Sequence, residues 1–74
     1  MWAGTSGRPA NFHCPITTEV MVDPVFAMDG HTYERGAIAM WFVGQNTSPM
    51  TRAVIPPTLV ENVNLRSMIA SWDA

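Results

Sequence analysis

The 74-residue sequence contains no lysine and a single cysteine, Cys14. One cysteine excludes an internal disulfide. The missing lysine excludes Schiff-base chemistry and removes the usual acceptor amine for covalent tagging. A zinc site wants about four Cys, His or carboxylate ligands, commonly in closely spaced pairs. Here only Cys14, His13 and His31 are on offer, with no paired-cysteine spacing, so no structural metal and no cofactor are expected. Charge is sparse too. The four cations, Arg8, Arg35, Arg52 and Arg66, stand singly against six carboxylates. No basic stripe is available to neutralise phosphates, which argues against nucleic acid as a partner. No apolar run approaches the roughly 20 residues that span a bilayer. The N-terminus also lacks the charged start and apolar centre of a signal peptide, so an intracellular setting, cytoplasmic or nuclear, is expected rather than a membrane.

What is present reads as one small domain. A chain this short buries only about 60% of the surface its unfolded form exposes, so it needs a staple beyond its core. Met1 to Ala10, with Gly4, Gly7 and Pro9 among small polar residues, has the composition of a flexible N-terminal tail, which leaves 11–74 as the domain. A loop through Cys14, Pro15 and Ile16 comes next. The segment Val25 to Tyr33 then places Asp29-Gly30 between β-prone residues, a strong hairpin signal. Ala37, Ile38, Trp41 and Phe42 follow helical spacing, with Glu34 expected in the first turn and Gly44 at the end. After a loop and Pro56-Pro57, Asn62 is a candidate N-cap for a second helix whose apolar stripe is Leu65, Met68, Ile69 and Trp72. No internal repeat is read from the sequence, and the fold class is α+β.

In order along the chain stand CPIT at 14–17, DPV at 23–25, DGHTYER at 29–35, Trp41, SPMT at 48–51 and NVNLR at 62–66. From Phe12 to Trp72 this closely resembles a U-box domain. Six fragments in the right order carry far more weight than any one alone. The resemblance implies a small RING-like fold: two long loops around a β-hairpin and a central helix, plus a C-terminal helix, with polar side chains doing the work of two zinc ions. Candidates for that network are Glu19, Asp23, Asp29, His31, Glu34, Arg35, Ser48 and Asn64. The implied activity is that of a ubiquitin ligase, which binds a ubiquitin-charged conjugating enzyme and promotes transfer to a lysine of a protein substrate with no covalent intermediate of its own. The implied docking residues are Ile16, Trp41 and Pro49, with Pro15 beside the first. Arg52 matches a loop position at which related ligases use a cation to bridge ubiquitin and its carrier. The alternative is an interaction or homodimerisation scaffold without ligase activity. Cys14 is expected to be a small core residue, because His13, adjacent on an extended chain, points the other way and makes a poor activating base. Phe42, Glu61 and a Pro56-Pro57 segment about one residue short depart from the common pattern.

Overall fold

The computed structural model describes residues 9–72. The tail expected over Met1 to Ala10 therefore lies outside the described residues apart from its last two, and Ala10 already opens a 3-10 turn, Ala10–Phe12. The hairpin forms where Asp29-Gly30 placed it. Strand β1, Pro24–Phe26, pairs antiparallel with β2, Thr32–Glu34, in the register Pro24↔Glu34, Val25↔Tyr33 and Phe26↔Thr32. Gly30 takes φ +85°, which a residue with a Cβ rarely adopts. The Asp29 carboxylate accepts the His31 backbone N–H at 2.8 Å to close the turn.

Helix α1, Arg35–Gly44, buries Ile38 and half-buries Ala37, Trp41 and Phe42 against the core. Glu34 is not in its first turn. It ends β2 in extended conformation as the residue preceding the helix and makes no side-chain cap. Its carboxylate instead accepts the backbone N–H groups of Val22 and Asp23 at 2.7 and 3.0 Å. Two charge-assisted hydrogen bonds outweigh a helix-dipole interaction that is weak near solvent.

A third strand, β3, Val60–Glu61, lies on the other side of β1, giving the antiparallel order β2-β1-β3. Nothing in the sequence announced it. Two residues carry no alternation, and it is a strand only because β1 presents a free edge. Helix α2, Val63–Trp72, follows directly, and Asn62 caps it by accepting the Leu65 N–H at 3.1 Å. Leu65 is buried and Ile69 half-buried, while Trp72 meets the Phe12 ring edge-on at 5.3 Å. The core gathers Phe12, Cys14, Met21, Val25, Tyr33, Ile38 and Leu65 from every element except β3.

Candidate functional site

The two loops flanking this core are one structure built twice. His13↔Val20 and Thr47↔Val54 form isolated antiparallel bridges, and the residues between them correspond one to one, thirty-four positions apart. The N–H of Cys14 donates to Glu19 O at 2.9 Å, as that of Ser48 donates to Ala53 O at 2.8 Å. The N–H of Thr18 closes on Cys14 O at 2.7 Å, and that of Arg52 closes on Ser48 O at 2.9 Å. Among the described residues, Thr18 and Arg52 are the positive-φ residues other than glycine, at +63° and +67°. At the first position the Cys14 Sγ accepts the Ile16 N–H at 3.4 Å, while the Ser48 Oγ accepts the N–H groups of Met50 and Thr51 at 3.0 and 2.9 Å. The sequence reading found no repeat because the two loops share only Pro, Thr and Val. The visible trace was CPIT beside SPMT.

Those first positions also tie each loop to the body. Cys14, fully buried, accepts the Glu34 N–H on its sulfur at 3.3 Å, so the first loop is held to the start of α1. Ser48, also fully buried, donates its hydroxyl to Asp29 Oδ2 at 2.6 Å, and the same oxygen receives the Tyr33 hydroxyl at 2.6 Å. Burial pushes the Asp29 carboxyl upward, but the hydrogen bonds from Ser48, Tyr33 and the His31 backbone outweigh it, and the group stays below its ordinary value. Tyr33 is driven well above the ordinary phenol value, first by burial and then by its bond to Asp29.

A second cluster links Asp23, the residue before β1, to α1, β3 and α2. Arg35 Nε lies 2.6 Å from Asp23 Oδ2, and Arg66 Nη1 lies 3.0 Å from Glu61 Oε1. Longer contacts of 3.5 Å (Arg35–Glu61) and 3.7 Å (Arg66–Asp23) close the ring. The hydrogen bond from Arg35 holds the Asp23 carboxyl below its usual value, and the same bond raises the Arg35 guanidinium.

Of the expected polar network, then, Asp23, Asp29, Glu34, Arg35 and Ser48 make side-chain bonds. Glu19, His31 and Asn64 expose their side chains. Glu19 and His31 take part through the backbone, Glu19 through both its N–H and its carbonyl and His31 through its N–H and its carbonyl. Sequence reasoning missed Tyr33, Glu61 and Arg66, together with the second bond of Asn62, from Nδ2 to Thr32 Oγ1 at 3.4 Å. For Tyr33 a signal existed, since Asp29 and Tyr33 flank a hairpin turn. Among the described residues, no group of three or more His, Cys, Asp or Glu could hold a metal ion.

The residues singled out for docking divide. Trp41 is half-buried and its indole N–H donates to Thr47 O at 2.6 Å. Trp41, Pro49 and Arg52, separated in sequence, line one depression of about 390 Å³ together with Gln45, Thr47 and Ser48. Ile16, 37% exposed on the first loop, is not part of that lining. Pro15 borders a different groove, of about 590 Å³, with Phe26, His31 and Met68. The depression offers a guanidinium, an apolar wall and backbone groups, a set suited to gripping and orienting a partner.

A family model for the U-box domain matches residues 9–74. The chain is 48% identical over 69 residues to "WD repeat, SAM and U-box domain-containing protein 1" of Danio rerio, covering 90% of this chain and 14% of that protein. It is 52% identical over 66 residues to "U-box domain-containing protein 36" of Arabidopsis thaliana, covering 86% and 15% respectively. A protein of Acanthamoeba polyphaga mimivirus named as a "Probable bifunctional E2/E3 enzyme" is 46% identical over 61 residues, covering 82% of this chain and 5% of that one. The chain thus spans about one seventh or less of the length of these curated relatives.

Proposed function

The chain belongs to the U-box family, and from that membership we propose that it is a ubiquitin ligase domain. It docks a ubiquitin-charged conjugating enzyme and speeds transfer of ubiquitin to a substrate lysine without forming a covalent intermediate. The observation that carries this reading is the convergence of Trp41, Pro49 and Arg52 on one depression. Ubiquitin joined to its carrier by a thioester is activated but loosely held, so restraining it in a reactive pose accelerates aminolysis with no nucleophile from the ligase. Ile16 and Pro49 supply apolar contact, Trp41 the wall, and Arg52 a planar fork of donors suited to bridging two proteins.

Discharge of a charged conjugating enzyme onto free lysine, with and without the domain, tests the reading across a panel of such enzymes. Free lysine is the right acceptor because these 74 residues contain no lysine of their own. Ile16→Ala should weaken docking about tenfold, the equivalent of losing one buried aliphatic contact. Arg52→Ala should leave docking within about twofold and slow discharge about tenfold or more. Docking by Ile16→Ala equal to wild type, or unchanged discharge by Arg52→Ala, would count against these assignments.

One observation favours the second reading, an interaction or homodimerisation scaffold. On α1, Met40 and Val43 stand three residues apart, 72% and 81% exposed, on one outward face. An apolar stripe of that kind is suited to being covered by protein. Self-association in sedimentation equilibrium, combined with no discharge by any carrier, would favour the scaffold.

A further inference from the structure

Because the two loops share their backbone bonds, the points at which they differ are informative. In the first loop His13 Nδ1 lies 2.9 Å from Thr18 O. A carbonyl only accepts, so Nδ1 carries a proton, and the imidazole clamps the carbonyl of the residue at positive φ. Thr47 occupies the matching position in the second loop, and its short side chain cannot reach across to the Arg52 carbonyl in the same way. The second loop is anchored from outside. The indole N–H of Trp41, on α1, donates to Thr47 O at 2.6 Å. Thr47 pairs with Val54 and immediately precedes Ser48, whose N–H and carbonyl close the loop on Ala53 and Arg52. A left-handed backbone is disfavoured for a residue with a Cβ, so Arg52 keeps φ +67° only while the loop around it is held.

We propose that Trp41 is a positioning residue for Arg52: its indole N–H locks the stem of the second loop to α1 and so keeps the guanidinium aimed into the depression they share. The proposal rests on the ligase reading and deepens it. It separates two roles of one side chain, the ring as docking wall and the N–H as tether for the loop.

The test is Trp41→benzothienylalanine, which keeps the size and shape of the ring but has sulfur in place of N–H, with Trp41→Phe as a second variant. Amide exchange, measured without any partner, should speed up at Arg52 and Ser48 about five- to tenfold, the equivalent of one lost hydrogen bond. Discharge by the benzothienylalanine variant, read at carrier concentrations that saturate docking so that the ring's docking role is held apart, should slow about five- to tenfold. Adding Arg52→Ala to that variant should slow discharge no more than Arg52→Ala does alone, because both changes act through one group. Unchanged exchange at Arg52, unchanged discharge, or fully additive losses would each overturn the proposal. If wild type discharges no carrier, the ligase reading falls by itself. The exchange measurement then decides the tether: acceleration at Arg52 and Ser48 supports it, and none refutes it.

Discussion

Ser48→Ala is the most severe single test of how this domain is stapled. The Ser48 hydroxyl is fully buried and makes three bonds, donating to Asp29 at 2.6 Å and accepting from the N–H groups of Met50 and Thr51 at 3.0 and 2.9 Å. Alanine fits the space but leaves two backbone donors without an acceptor and Asp29 with one donor fewer. Each buried polar group left unsatisfied costs about 1–3 kcal/mol, and these donors are only partly buried, so about 2–3 kcal/mol in total is expected. A domain of this length has roughly 4–11 kcal/mol of stability at about 0.05–0.15 kcal/mol per residue, so the loss is a large fraction of it. At about 4–8 °C per kcal/mol the melting temperature should fall by about 8–24 °C. Calorimetry or near-ultraviolet circular dichroism reads this directly. Tyr33→Phe removes the other hydroxyl on the same Asp29 oxygen, so the double variant should show a coupling of about 0.5–1 kcal/mol between the two changes. A fall under about 3 °C for Ser48→Ala, or strict additivity with Tyr33→Phe, would refute the account of a shared network centred on Asp29.

Three further outcomes follow from the same contacts. Asp29 and Asp23 titrate below their ordinary value of 3.8, so their stabilisation is fully present above it and is lost as pH falls through their lowered folded values. Tyr33 titrates above its ordinary value of 10.0, so its contribution is present below that pH and is lost as pH rises toward its folded value. The melting temperature should therefore hold a plateau through neutral pH and fall on both sides, with Tyr33→Phe removing the tyrosine part of the alkaline fall; a pH series of melts checks this. Excess EDTA should leave the melting temperature unchanged, since the network uses protein groups throughout, and a chelator-induced melt would contradict it. Arg66→Met, which opens the half-exposed ring of Arg35, Asp23, Arg66 and Glu61, should cost less than Ser48→Ala, and the difference from wild type should shrink in high salt because exposed ion pairs are screened.

Much of the fold was legible because it is local. Asp29-Gly30 dictated the hairpin, Asn62 the start of α2, and the spacing of Ile38, Trp41 and Leu65 the buried faces of the two helices. Where reading failed, the cause was a competing partner distant in sequence. Glu34 was expected to serve the helix dipole, yet two backbone donors twelve and eleven residues earlier took its carboxylate. Strand β3 exists because β1 has an edge to pair with, and the repeated loop hid behind three shared residues.

The candidate site divides the same way. Residue types alone determined that no internal disulfide could form and that no paired-cysteine zinc motif was present, and the resemblance of the ordered motifs to the U-box family pointed to Ile16, Trp41, Pro49 and Arg52 as the side chains to examine. Only the tertiary structure decided that Trp41, Pro49 and Arg52 share one depression, that Asp29 gathers Ser48 and Tyr33 on a single oxygen, and that one indole N–H reaches the loop carrying Arg52. Composition and short-range spacing govern turns, caps and apolar faces because those depend on neighbours a few residues away. A hydrogen bond across nineteen residues depends on where two separate loops come to rest, and no local pattern encodes that.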